Sequence, residues 1–241
     1  MKLFIFASAG GSASSYLKWS KYFDDSITVV PIDLAGRGIR SSEPFYPDMK
    51  HLIADVYEKV ISQTENEPFA MMGHSFGCDI IYEIMGHLEN DNREMPIHLF
   101  MFGNTPPFSM KLRMKISHLP NKEFLKAMEF FGGIQPQLYE FPDVLDYFCN
   151  IMRADMRLVE EYEDDIKLIP KKKWDVPVSA FCGKQDNTFD HSLLSDWDKC
   201  TSQSCNYFML EGGHFFLDDN IEFIASQIEN SLLKQEKLLN E

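Results

Sequence analysis

The chain has 241 residues, of which 44% are hydrophobic, enough to give one large α/β domain a full core. A net charge of −14 and a pI near 4.9 argue against nucleic acid or an anionic membrane as general partners, so any acidic partner must be met by a local basic patch. The five cysteines are scattered and odd in number, which fits the reduced thiols of a cytosolic protein, and no ligand spacing for zinc appears. Neither a metal nor a cofactor is expected.

Met1-Lys2, the apolar run Leu3 to Phe6 and then Ala7-Ser8-Ala9 faintly imitate a signal peptide. The apolar stretch is too short and its charged region is a single lysine, so Leu3–Ala7 reads as a first buried strand. No other run is long enough to span a membrane, and the expected location is the cytoplasm. Further strand-like runs follow at Ile27–Asp33, Phe69–Gly73, Ile97–Gly103, Val178–Gly183 and Tyr207–Leu210. Helical patterns lie at Ser14–Phe23, Met49–Thr64, Ser75–Asn90, His191–Cys200 and Ile221–Leu238. Near-continuous apolar strands alternating with helices predict a mostly parallel sheet covered on both faces, with ligands beyond the carboxyl ends of the strands. The rhythm breaks between Gly103 and Val178, where only helical patterns appear, at Asn121–Phe131 and Val144–Glu163. The expectation is a single domain over 1–241 with a helical lid inserted at about 107–170.

The most informative segment is Pro68-Phe-Ala-Met-Met-Gly-His-Ser-Phe-Gly77, a strand running into Gly73-x-Ser75-x-Gly77 and then a helix. Strand, sharp turn and helix is the setting of a nucleophile elbow, the mark of an α/β-hydrolase fold, with Ser75 at its apex. A serine hydroxyl needs a base, and the base needs a third group to orient it; in this fold they follow in the order serine, acid, histidine. His214 lies on the glycine-flanked loop Glu211-Gly-Gly-His-Phe-Phe216 after the last strand and is the expected base. Two acids follow the preceding strand. Asp186, close to the Gly183 turn, is the expected triad member, while Asp190 suits a cap for the helix opening at His191, itself read as a surface residue. An oxyanion hole requires two backbone N–H groups. Phe76, next to the nucleophile, is one candidate; Ala9 in the loop after the first strand is the other, with Gly10 next in line.

The residues resemble the type II thioesterases, free-standing editing hydrolases of nonribosomal peptide and polyketide synthases. The resemblance rests on Phe6-Ala-Ser-Ala-Gly-Gly11, Ser15-Tyr-Leu-Lys-Trp19, Pro31-Ile-Asp-Leu-Ala-Gly-Arg-Gly-Ile-Arg40 and Glu43-Pro44. The elbow, Gly103-Asn-Thr-Pro-Pro107, Ser117-His-Leu-Pro120, Gly132-Gly133, Gly183-Lys-Gln-Asp186 and Gly212-Gly-His-Phe-Phe216 continue it to the far end of the chain. Ala7 departs from the family, which usually has proline there. The resemblance implies hydrolysis of acyl or aminoacyl thioesters on the phosphopantetheine arm of a carrier protein. Lys111, Arg113 and Lys115, at the start of the lid, are candidates to meet that acidic carrier or the arm's phosphate, against the alternative of an ordinary solvated edge. Met128, Phe130, Phe131 and Phe148 could line an acyl pocket, although such spacing equally suits lid core. The protein is expected to act as a monomer. Two rival readings stand beside this one: a carboxylesterase or acyltransferase using the same triad, and a hydrolase fold kept as a non-catalytic binding module.

Overall fold

The structure, a computed structural model, describes residues 1–64, 67–109, 115–130, 132, 134, 136–164, 170 and 172–239. Strands β1 (Lys2–Phe6), β2 (Thr28–Pro31), β3 (Phe69–His74), β4 (Leu99–Phe102), β5 (Val178–Gly183) and β6 (Cys205–Leu210) form a six-stranded sheet in the order β2-β1-β3-β4-β5-β6. Every pairing is parallel. Strand alternation divides the core in two. Phe4 and Phe6 of β1 face one side, packed with Met71, Leu99 and the helices α1 (Met49–Ile61) and α2 (Phe76–Asn90). Leu3 and Ile5 face the other, packed with Trp19 and with Ile224, Ile228 and Leu232 of α5 (Ile221–Leu239). Burial on both faces is why the strands carry continuous apolar runs.

The element boundaries follow local chemistry. Asp48 caps α1 by accepting from His51 N at 2.9 Å, and Pro142 opens α4 (Pro142–Asp164) at the position where a missing N–H costs nothing. Two expected helices, over Ser14–Phe23 and His191–Cys200, are instead wound as successive 3₁₀ turns at Ala13–Tyr22 and His191–Lys199. Both are short connectors tied at their starts to side-chain carboxylates: Ser14 N donates to Asp33 at 3.2 Å and Ser192 N to Asp190 at 2.9 Å. The last strand is also less buried than a continuous apolar run implies. β6 has a neighbour on one side only, and Tyr207 and Met209 stand 39% and 47% exposed.

Between β4 and β5 the chain carries α3 (Asn121–Phe130), a 3₁₀ stretch at Pro136–Glu140 and α4, with no strand among the described residues. This insertion has its own apolar cluster, Ile116, Phe124, Met128, Cys149, Met152 and Met156, against which Ala9 packs. All five cysteines are free thiols; four are buried and Cys205 is half-buried. No described helix is long and apolar enough to cross a membrane.

The strand order places the reversal of winding at β1. The chain leaves β1 toward β2 on one side, while β3 joins it on the other, so the loops after β1 and β3 diverge and open a crevice at their carboxyl ends. The crevice depends on close backbone contact behind it. A Cβ on Gly77 would lie 2.2 Å from the Phe6 carbonyl oxygen, and one on Gly73 would lie 2.7 Å from the Gly77 backbone. Gly86, in the interior of α2, would place a Cβ within 4 Å of nothing. Thermal unfolding of the two alanine variants should therefore diverge. Gly86→Ala is expected to stabilise by about 0.5–1 kcal/mol through helix propensity, and Gly77→Ala to lower Tm by pushing α2 off β1; equal Tm values would contradict the close approach.

Candidate active site

Ser75 sits between β3 and α2 with φ 53° and ψ −112°, a conformation that side-chain-bearing residues avoid. Its neighbours hold it there. Ser75 N donates to Phe102 O at 2.8 Å, while Ser75 O accepts from Cys78 N at 2.9 Å and from the side-chain amide of Asn104 at 2.9 Å. Asn104 is buried, and its own carbonyl accepts from Trp197 Nε1 at 3.1 Å. Gly103, at φ +62°, lets this segment pass close to both His74 and His214. The sequence marks Gly103-Asn-Thr-Pro-Pro107 as a motif, but nothing in it reveals that Asn104 braces the elbow.

His214 Nδ1 lies 2.8 Å from Asp186 Oδ2, so the histidine and this acid meet as a pair. Asp186 is buried, and its other oxygen accepts from Thr188 N at 3.0 Å and Thr188 Oγ1 at 2.7 Å. Burial pushes the Asp186 carboxyl up, but the hydrogen bond and charge of His214, with the Thr188 donors, outweigh it and hold the group below its ordinary value. Asp190 instead accepts from Ser192 N, as a cap. His191 differs from its surface reading: it is half-buried, and its Nε2 donates to Asp186 O at 2.6 Å, fixing the backbone that carries the acid.

Ser75 and His214 line one cavity of about 60 Å³ together with Ser8, Ala9, Phe76 and Thr188. The Ser75 hydroxyl makes no hydrogen bond to the described residues. Phe76 N belongs to the first turn of α2, where N–H groups have no acceptor within the helix. Ala9 N likewise donates to nothing among the described residues, whereas the N–H of Gly10, the alternative donor, is taken by Asp155 Oδ2 at 2.7 Å. Apart from Gly103 and Asn104, the rest of the wall is apolar and comes largely from the insertion: Met128, Met152, Met156 and Val159, with Phe189 and Phe215. Of the acyl-pocket candidates, Met128 lines the cavity and Phe148 packs in the insertion's core. The Phe130 side chain and Phe131 lie outside the described residues. Met152, Met156 and Val159 were not anticipated, since their helical spacing equally fits core. Of the basic candidates, Lys111 and Arg113 also lie outside the described residues. Lys115 is exposed and pairs with Asp164, both carboxylate oxygens at 2.6 Å.

His74, beside Ser75, braces His214. Its Nε2 lies 2.9 Å from the His214 carbonyl oxygen and so carries the hydrogen, leaving Nδ1 to accept from Tyr16 OH at 3.4 Å. Burial, reinforced by repulsion from a charged His214, pushes the His74 pKa down to about 3. With an ordinary value of 6.5, the unfolded chain binds a proton here between pH 6.5 and 3 that the folded chain does not. The stabilising contribution is therefore complete above pH 6.5 and lost as pH falls, by up to about 1.4 kcal/mol per pH unit. Tm should drop between pH 7 and pH 5 in the wild type and drop less in His74→Gln, which keeps a donor to His214 O; parallel slopes would contradict the assignment.

The thioesterase domain family matches residues 1–232. A Brevibacillus parabrevis protein named linear gramicidin dehydrogenase LgrE is 33% identical over 233 residues, which cover 95% of this chain and 87% of LgrE. A medium-chain S-acyl fatty acid synthase thioesterase from Anas platyrhynchos is 27% identical and covers 95% of this chain and 93% of its own. Among solved structures, ClbQ from the colibactin NRPS/PKS pathway superposes with a TM-score of 0.91 at 26% identity, covering 98% of each chain.

Proposed function

This chain belongs to the thioesterase domain family, and from that premise we propose that it hydrolyses acyl or aminoacyl thioesters on the phosphopantetheine arm of carrier proteins, editing nonribosomal peptide or polyketide synthases. The observation that carries the mechanism is a strained Ser75 sharing a cavity with His214, whose Nδ1 lies 2.8 Å from the buried Asp186. In this reading His214 Nε2 takes the Ser75 proton as Oγ attacks the thioester carbonyl. The N–H groups of Phe76 and Ala9 hold the negative charge that forms on the carbonyl oxygen. Asp186 keeps the imidazole in the tautomer with hydrogen on Nδ1 and stabilises its cation. Collapse expels the arm's thiolate, which takes the proton from His214; a thiol of pKa about 8.5 leaves with little assistance. Water deprotonated by the same Nε2 then attacks the acyl-Ser75 ester, and the proton returns to Oγ as the acid departs.

The insertion acts in this reading as a lid over the acyl group. Its methionines are unbranched and polarisable, able to fit chains of different shape. The partner reading extends to Lys111, Arg113 and Lys115 as the place where an acidic carrier meets a chain of net charge −14. Reversing these three charges is expected to raise KM for acyl-loaded carriers and leave KM for small thioesters unchanged; an unchanged carrier KM would remove them from the interface.

A fatty acid synthase as the system served is the second reading, favoured by the avian relative. It shares the chemistry and differs in the carrier. The deciding experiment presents peptidyl, polyketide and fatty acid synthase carriers loaded with acyl groups, alongside simple oxygen esters. Release of free acid from peptidyl or polyketide carriers, falling by about three orders of magnitude or more in Ser75→Ala, is the expected result. Faster turnover of the oxygen esters, or transfer to an added alcohol, would make the protein an esterase or acyltransferase. Failure of the wild type to react with a fluorophosphonate would leave a binding module.

A further inference from the structure

The oxyanion turn is held from outside itself, and the group that holds it comes from the insertion. Residues Ser8 to Gly11 form a turn closed by Gly11 N to Ser8 O at 3.0 Å, with Gly10 at φ +72° in the third position, where type II turns require glycine. One shoulder is anchored to the end of β2: Ser12 Oγ donates to Asp33 at 2.8 Å, and Ser14 N and Oγ donate to the same carboxylate. The other shoulder is anchored to Asp155 of α4, which accepts from Gly10 N at 2.7 Å. Asp155 is in turn gripped by Arg37, Nη1 to Oδ2 at 2.5 Å and Nη2 to Oδ1 at 2.6 Å, with both side chains no more than 3% exposed. The same Arg37 Nη1 reaches the Gly11 carbonyl at 3.2 Å. Arg37 and Asp155 thus hold a donor and an acceptor on consecutive residues of the turn, immediately after Ala9. The packing agrees, since a Cβ on Gly10 would lie 2.4 Å from Met152 Cε of the same helix.

We infer that Asp155, clamped by Arg37, is a positioning residue that sets the direction of the Ala9 N–H, so that seating of the inserted helix and completion of the oxyanion hole are one event. The inference rests on the reading of Ala9 as an oxyanion donor given above. A carboxylate fits this task better than a neutral group. It accepts from the turn and from both guanidinium nitrogens at once, and bidentate pairing fixes its plane as well as its place. Withdrawal of α4 would remove the carboxylate from Gly10 and break the bidentate pair that fixes the guanidinium against the Gly11 carbonyl, so both contacts on the turn depend on the seated helix. A thioester entering an open site would then meet Ser75 without a complete oxyanion hole to take the charge on its carbonyl oxygen, and the acyl-enzyme would form only with the lid closed over its cargo.

Two variants test this. Asp155→Asn keeps the shape and removes the charge. Arg37→Met combined with Asp155→Leu removes the pair without stranding a buried charge, an exchange that proteins tolerate well, and its Tm verifies folding. Both are compared with wild type and Ser75→Ala on a small acyl thioester, with kcat and KM measured separately. The expected result is a fall in kcat of about 100-fold, the scale of one oxyanion donor, with KM within about twofold. Binding of a trifluoromethyl ketone, which forms an oxyanion on Ser75, should weaken by a comparable factor, while binding of a non-electrophilic substrate amide stays unchanged. A folded double variant with wild-type kcat, or one in which only KM rises, would overturn the inference and reduce the pair to lid packing. Residual activity equal to wild type in Ser75→Ala would instead overturn the underlying reading of the site, a result distinct from either.

Discussion

A serine forced to positive φ at the meeting of β3 and α2 is the constraint on which the rest of the site is arranged. Such a conformation costs about 1–3 kcal/mol and persists only where surrounding structure over-determines it. Here the determinants are explicit. The Ser75 N–H is spent on β4, its carbonyl is bonded twice, and the backbone behind it touches β1 with no room for a side chain. The strain is thus carried by the centre of a parallel sheet, the least deformable part of the molecule, and the elbow has a fixed position for other groups to be aimed at.

Those groups come from the carboxyl ends of three other strands, β1, β5 and β6, and each is secured by a partner that takes no part in the proposed chemistry. Asp186 has Thr188 and the backbone contact of His191; His214 has His74 under its carbonyl; the Ser8–Gly11 turn has Asp33 on one side and Asp155 on the other. A chain of net charge −14 would be expected to keep its carboxylates in water, yet Asp33, Asp155, Glu160 and Asp186 are buried. Each is surrounded by donors. Glu160 accepts from Ile116 N at 2.7 Å and Ser117 N at 2.8 Å, fastening the start of the insertion to α4 as Asp155 fastens α4 to the turn. Burying a carboxylate is tolerated only with such compensation, so these acids mark the joints of the molecule.

The legibility of this arrangement in the sequence varied with its physical origin. Strands buried on both faces announce themselves as apolar runs, and all six were read with errors of a few residues at their ends. Only the burial expected of β6 differs, and the cause is tertiary, since a run of the same character is half exposed when it lies at the edge. The two connectors read as helices carry the same apolar spacing that α-helices carry, so the spacing does not tell 3₁₀ winding from α winding. Asn104, Thr188, His191 and His74 were missed as supports because a polar residue at the end of a strand or in a connection looks the same in sequence whether it points to water or to another part of the chain.

What the sequence determined by itself was a set of candidate residues and their order: Ser75 at a strand–helix turn, then Asp186, then His214, each after a strand, with glycines flanking Ser75 and preceding His214. That information is local, because turn geometry and strand burial impose residue types on short segments. The tertiary structure alone decided which neighbours those residues would have. Gly10 and Ala9 are adjacent and both able to donate, and only the approach of Asp155 from 145 residues away leaves one N–H engaged and the other free among the described residues. Arg37 and Asp155 are likewise ordinary charges in the sequence, 118 residues apart, and become a buried clamp because the sheet and the insertion close around them. Hydrogen-bond partners across such separations depend on how the layers pack, and no local pattern encodes them.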